Sequence, residues 1–298
     1  MPMTRAKNNE ISIKNLFIPT LNLDKVLCQR RMSMISANRG LLARNMLTHT
    51  KTIVYKTVYP QSTSILRSGE YTLLKSPLET FIYDLNFSEP AVETIDKLSR
   101  HRATWLVDEQ SIPERLPFML CNRGFETDLK ATGMLGFASE CRLAGPSDKI
   151  TVRKINRSCS NSIETCRRIY KRTIPVSATQ VDKVEEFIRK ADSRFSFYLA
   201  SYNGQPAGFS SLFVHRDKQQ TPAAYLFCAT VSPTWQRKGV ATELVRARLD
   251  DALSMNIDTL VSVVKTHSPS ERIMRNAGFS ALANFTFFHK PQNPITDK

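Results

Sequence analysis

Residues 223–264 read AAYLFCATVSPTWQRKGVATELVRARLDDALSMNIDTLVSVV, and this stretch decides the fold. From Tyr225 to Val231 the residues are almost continuously apolar, the pattern of a strand covered on both faces. Pro233 cannot donate to a sheet ladder and ends the pairing. Gln236-Arg237-Lys238-Gly239-Val240-Ala241 then runs directly into a helix. In that helix Val245, Leu249, Ala252 and Leu253 recur at i, i+4, i+7 and i+8, which makes one buried face. A second apolar strand is expected over 258–264.

The turn between strand and helix has a chemistry of its own. A helix start carries backbone N–H groups without intrahelical partners, together with the positive end of the helix dipole. A diphosphate needs several such donors converging on its oxygens, with no Cβ in the way. Gly239 permits that approach, Ala241 is the smallest residue that continues the helix, and Arg237 and Lys238 raise the local positive potential. The plainer alternative is an ordinary strand-to-helix connection with a glycine turn.

Working outward, Ala277-Gly278-Phe279 closes a second helix that starts near Ser268, and a last strand follows it. Upstream, Asn203-Gly204 joins strands 195–202 and 207–214 as a tight hairpin. Helices are expected near 162–171 and 179–191, and a strand over 150–155. The turn-rich run Ala144-Gly145-Pro146-Ser147-Asp148 is the best boundary candidate. Before it, strands are expected at 70–74, 81–87, within ATWLVDE and at 132–139, with a helix opened by Pro90 and a shorter one near 113–121. Residues 1–51 carry nine basic side chains against Glu10 and Asp24, and their LDKVLCQRRMSMISANRGLLARNML segment reads as one or two amphipathic helices. Three parts result: a basic helical segment 1–60, a domain 61–146 and a domain 147–298.

The chain has 298 residues, enough for two domains, and 41% of them are hydrophobic, enough for sizeable cores. No apolar run approaches the roughly 20 residues that span a bilayer, and the start has no long apolar leader, so a cytoplasmic protein without a membrane partner is expected. The six cysteines are scattered without a C-x-x-C pair, so no metal site is expected. A net charge of +15 favours anionic partners. Part of it sits in Arg153, Lys154, Arg157, Arg167, Arg168, Lys171 and Arg172, which suggests an anionic acceptor or a solvated basic face. Nucleic acid is the weaker branch, because no interleaved aromatic platform or recognition motif accompanies the charge.

The succession strand, V-x-P, Q-x-x-G-x-A, helix, strand, helix, Ala277-Gly278-Phe279, strand resembles the GNAT superfamily of acyl-CoA-dependent N-acetyltransferases over residues 195–290. The resemblance implies a mixed, mostly antiparallel sheet flanked by helices, an α/β (α+β) fold, with acetyl-CoA as co-substrate and an amine as acceptor. It implies that Ala229, Thr230 and Val231 meet the pantetheine arm through their main chain. It also implies that Gln236, Arg237, Lys238, Gly239, Val240, Ala241 and Thr242 hold the pyrophosphate. The first half is similar, more faintly, to the degenerate N-terminal half of tandem acetyltransferases, and it lacks a counterpart of Q-x-x-G-x-A. An unrelated accessory domain is the alternative.

Many family members place a glutamate on the strand before the turn and a tyrosine in the later helix. Here those positions hold Phe227 and Met274, neither of which can transfer a proton. His267 is a candidate catalytic residue at the end of the penultimate strand, or else a surface histidine at the next helix start. Tyr225 is a phenol donor or a core aromatic. Ser268 caps the last helix, and Cys228 is a buried, inert thiol rather than a nucleophile for a covalent relay. The expected function is direct acetyl transfer to an amine. The alternatives are a CoA-binding module without turnover and a basic nucleic-acid-associated protein.

Overall fold

The computed structural model describes residues 39–87, 92–100, 103–174, 178–215 and 222–291. The helices expected before residue 39, and Pro90, lie outside them. The first element is helix α1 (Arg39–Val58), followed by the short strands β1 (Ser64–Arg67), β2 (Thr72–Lys75) and β3 (Thr80–Tyr83). Helix α2 (Val92–Ser99), strand β4 (Ala103–Asp108), helix α3 (Leu116–Cys121) and the long strand β5 (Glu126–Phe137) complete the first half. The second half opens with β6 (Ile150–Lys154), helices α4 (Ser160–Thr173) and α5 (Ala178–Lys190), and strands β7 (Phe195–Tyr202), β8 (Gln205–His215) and β9 (Ala223–Val231). It ends with helix α6 (Val240–Ser254), β10 (Thr259–Lys265), helix α7 (Pro269–Asn276) and β11 (Ser280–His289). The class is mixed α/β, as the alternation of elements implies. No helix among the described residues is long and apolar enough to cross a membrane.

All the strands share one sheet, ordered β1-β2-β3-β4-β11-β5-β10-β9-β8-β7-β6. From β1 through β4 to β11 the pairings are antiparallel, antiparallel, parallel and antiparallel. From β7 through β10 to β5 they follow the same sequence. The antiparallel pair of β11 with β5 lies between the two runs. Each half thus repeats the other and lends its last strand across the middle. The cores record the exchange: Met134 and Ala138 of the first half pack in the cluster around Leu226, Leu244 and Leu260. Phe288 of the second half packs in the cluster around Trp105, Leu116 and Phe125. The sheet thus runs on past the loop at 144–148.

Helix α1 is the element that sequence reasoning placed least well. Its second half, THTKTIVYKTV, is rich in β-branched residues that weaken a helix. Packing overrides that preference. Ala43 and Met46 are buried, and Arg44 pairs with Asp108 at 3.0 Å and Asp84 at 3.2 Å. A Cβ on Gly133 of β5 would stand 2.8 Å from the Ala43 methyl, so glycine is what lets this helix lie close on the sheet.

In the first half, Trp105 is fully buried and meets Phe125 edge-on at 6.0 Å and Phe87 at 6.2 Å. Trp105→Ala should therefore lower the unfolding free energy by roughly 3–5 kcal/mol, read by urea denaturation. A change below about 1 kcal/mol would mean that this core is not load-sharing with the sheet.

Candidate functional site

Parallel pairing of β9 with β10 starts at Ala223 with Thr259 and ends at Leu226 with Ser262, whose Oγ donates to the Leu226 carbonyl at 2.9 Å. Beyond that rung β9 stays with β8 while β10 stays with β5, and the two strands diverge. The slot between them is a cleft of about 300 Å³, lined among others by Cys228, Thr230, Arg248, Lys265, Ile273 and Met274. A β-bulge sits on its wall, where Cys228 and Ala229 together oppose Ser210, and Cys228 takes a left-handed φ of 53°. A bulge leaves one residue outside the ladder, which makes main-chain groups available to the cleft.

At the end of β9, a short 3₁₀ turn (Pro233–Trp235) leads into the glycine turn. Arg237 and Gly239 are both left-handed, with φ of 60° and 88°. The nearest atom to a Cβ on Gly239 would be Ile150 Cδ1 at 3.6 Å, so glycine is required there by backbone conformation rather than by space. Gly239 caps α6 without a side-chain hydrogen bond, and the Glu243 N–H makes the first bond of the helix, to Gly239 O at 3.1 Å. The amides of Val240, Ala241 and Thr242 consequently have no partner within the helix. Gln236, Arg237, Lys238 and Gly239 are exposed, and Lys238 Nζ rests over the Trp235 ring at 4.6 Å. Ala241, Val245 and Arg248, one face of α6, line the same cleft.

Two groups in the cleft were not found from the sequence. Arg248 is buried, donates to the Leu244 carbonyl at 2.9 Å, and has no carboxylate partner among the described residues. Burial lowers its pKa to about 10, so it remains a cation at neutral pH. Tyr170 of α4 lines this cleft and also a second cavity of about 460 Å³ on the other side of the sheet, beneath α1 and α5. Phe227 and Cys228 are likewise common to both, so the two spaces meet at these three residues. Burial pushes the Tyr170 phenol up to about 12, with a smaller contribution from Cys228. Arg248 stands four residues after Leu244 and four before Ala252, on the apolar side of α6, and that spacing was the available signal, whereas the helix of Tyr170 gave none.

The remaining candidates fall as follows. Ala229, Thr230 and Ala241 line the cleft, as do Phe227 and Met274, neither of which can transfer a proton. Tyr225 is buried, stacks on Phe227 with ring centroids 5.6 Å apart, and lines the second cavity, its phenol raised far above the usual range by burial. His267 is exposed in a left-handed turn, with φ of 59° and its N–H bonded to Glu271 Oε2 at 2.5 Å, and it is not among the residues lining the cleft. Ser268 caps α7, accepting from the Glu271 N–H at 3.2 Å. Cys228, expected to be buried, is accessible, because the bulge turns it toward both cavities. Its thiol is nonetheless pushed up to about 11 by desolvation, opposed by Arg248, which disfavours the nucleophilic thiolate.

The basic run at the start of the second half is largely occupied. Arg167 bridges to Asp182 and Glu164, Lys154 to Asp251, and Arg153 donates to Ser162. Arg168 and Arg172 instead border a separate groove of about 450 Å³ beside Trp235.

The sequence pattern of the acetyltransferase (GNAT) family matches residues 163–279, which span α4 through the splayed strands to the end of α7. Among solved structures the chain is similar to a GCN5-related N-acetyltransferase from Kribbella flavida, at 13% identity over 87% of this chain and 98% of that one, with a TM-score of 0.61. A functionally unknown conserved protein from Staphylococcus epidermidis ATCC 12228 shares 12% identity over 80% of this chain and 98% of its own, with a TM-score of 0.59. A tandem GNAT protein from the clavulanic acid biosynthesis pathway shares 13% over 81% and 88%, with a TM-score of 0.54. No curated protein sequence matches. At these identities the structural likeness speaks for the fold, and the family pattern speaks for residues 163–279.

Proposed function

We propose that this chain transfers an acetyl group from acetyl-CoA directly to an amine. The observation that carries this reading is the alignment of three features: the open amides at the start of α6, the slot between β9 and β10, and the second cavity that meets the slot at Tyr170, Phe227 and Cys228. The amides of Val240, Ala241 and Thr242, with Gln236, Arg237, Lys238 and Gly239, would hold the pyrophosphate, and Ala229, Thr230 and Val231 the pantetheine arm. Bound acetyl-CoA supplies the acyl group in activated, thioester form. The two halves, with divisions near 60 and 146, are read as a degenerate and a functional acetyltransferase-like domain sharing one sheet.

The chain's own groups divide the work. Main chain at the Cys228–Ala229 bulge offers a donor for the developing carbonyl charge. The amine's lone pair forms the new N–C bond as the C–S bond breaks, its electron pair going to sulfur. The proton lost from nitrogen ends on that sulfur or in water. A thiol titrates near 8.5, about three units below the Tyr170 phenol, so Tyr170 serves as a hydrogen-bond donor to the sulfur and keeps its proton. The buried Arg248 cation offsets the charge that sulfur acquires. Tyr170→Phe should then lower kcat roughly 100-fold and leave acetyl-CoA affinity unchanged, as read by thiol release and calorimetry.

No carboxylate or imidazole is present among the residues lining the slot or the second cavity. The amine must therefore arrive neutral. Below the amine's own pKa, kcat/KM should climb about tenfold per pH unit and level off above it. A separate inflection near pH 6–7 would instead point to an enzyme base such as His267.

A second reading, a CoA-binding module without turnover, is favoured by Phe227 and Met274. Calorimetric titration with acetyl-CoA, followed by thiol release over an amine panel, separates the two. Binding without release supports the module, and absence of binding removes both.

A further inference from the structure

We propose that the cavity beneath α1 and α5 selects an uncharged amine carrying a phenyl- or indole-sized apolar group as the acceptor. This inference rests on the acetyltransferase reading and names the substrate class of the same site.

The lining decides the class. The cavity of about 460 Å³ falls within the range of small-molecule sites and is walled by the rings of Tyr55, Tyr59, Tyr170, Phe187, Tyr225 and Phe227. Its floor is one face of the sheet, on which Phe197 is opposite Ser211 and Ser211 opposite Phe227, with Phe209 and Tyr225 beside them. Rings in such a wall meet a flat apolar guest face-on or edge-on, as they already meet one another, Tyr225 on Phe227 at 5.6 Å and Phe187 on Phe197 at 5.7 Å. The roof comes from Leu47, Val54 and Val58 of α1, so both main surfaces are apolar.

Charge narrows the class further. The two cations in the lining, Lys51 and Lys183, are already engaged. Lys51 bonds Glu79 and lies 4.3 Å from the Phe81 ring centroid; Lys183 bonds Glu186 at 2.6 Å and lies 4.8 Å from that of Tyr59. An acidic acceptor would find these ammonium groups paired, and a polyamine would find no carboxylate in the lining to receive its second charge. Transfer of an ammonium into this space also costs desolvation, which favours the free base, the form able to attack. The cavity and the slot share Tyr170, Phe227 and Cys228 in their linings, so an amine tethered to a seated ring would lie next to the thioester.

The test is acetyl-CoA-dependent thiol release by the full chain with 2-phenylethylamine, tryptamine, putrescine and glutamate. The expected result is a kcat/KM for the two ring-bearing amines at least about 100-fold above that for putrescine or glutamate. Val54→Trp fills the cavity from its roof, away from the slot. It should lower kcat/KM for 2-phenylethylamine by about 50-fold while calorimetric acetyl-CoA affinity stays the same, which also shows that the variant is folded. If Val54→Trp does not fold, the panel on the unaltered chain decides by itself. Equal use of putrescine or glutamate would overturn the inference and leave acetyl transfer standing. So would a preference for benzoyl-CoA with a small polar amine, which would give the cavity to the acyl group. Failure to bind acetyl-CoA would remove the acetyltransferase reading and this inference with it.

Discussion

Gly239→Glu is expected to weaken acetyl-CoA binding by at least about 100-fold while the protein stays folded. A side chain at φ of 88° costs on the order of 1–2 kcal/mol if the turn keeps its shape. A carboxylate about 4 Å from an anion adds roughly 1–4 kcal/mol of repulsion for effective dielectrics between water and a protein surface. At 1.4 kcal/mol per factor of ten, the middle of that sum already exceeds 100-fold. The fold should persist because the position is exposed and its closest neighbour, Ile150 Cδ1, stands at an ordinary contact distance of 3.6 Å. Calorimetry and a thermal melt on the same sample check both halves of the claim. Gly239→Ala, which carries the strain without the charge, should lose only about tenfold. An unchanged dissociation constant for Gly239→Glu would mean that the pyrophosphate does not rest on this turn.

Residues 147–298 expressed alone should fail to give a cooperatively folded domain, although they contain the whole stretch that matches the family pattern. That fragment lacks β5. Without β5, β10 loses every partner from Ala131 to Phe137, and β11 is left with no neighbour on either side. Its core also loses Met134 and Ala138. Buried side chains of Met's size contribute about 1.5–3 kcal/mol each, against a total stability of about 5–15 kcal/mol for an ordinary domain. An unpaired β10 would in addition expose a long apolar edge, a template for aggregation. Fragment 39–146 is expected to fail likewise, since β4 and β5 both need β11. Co-expression of the two fragments should restore a soluble complex. A single sharp melt from 147–298 alone would show that strand exchange is dispensable.

Local elements of the second half were legible because short-range chemistry specifies them. The hairpin at Asn203-Gly204 was readable from its dipeptide, and both residues take the positive φ, 48° and 77°, that such a turn demands. The glycine turn and the Ser268 cap follow from the same kind of rule, as does the buried face of α6 at Val245, Leu249 and Ala252, whereas Leu253, expected on that face, is exposed. The exchange of β5 and β11 was not legible. Alternation of side chains tells which face of a strand is buried, but not which strand lies beside it. The aromatic floor of the second cavity was half visible, since Phe195 and Phe197, and Tyr225 and Phe227, recur at the strand period of two. Its roof was not, because the β-branched second half of α1 argues locally against a helix. His267 illustrates a further limit: its place in the sequence allowed a catalytic or a surface residue, and it stands exposed in a left-handed turn.

Strand exchange also has a bearing on synthesis. A chain emerging from the ribosome would have β4 and β5 available long before β11, the strand that must lie between them. Until translation has passed residue 289, the inner edges of β4 and β5 would have to remain apart or pair wrongly with one another. Protein made in this order depends on late closure, and a stalled or shortened translation product should be a client for chaperones.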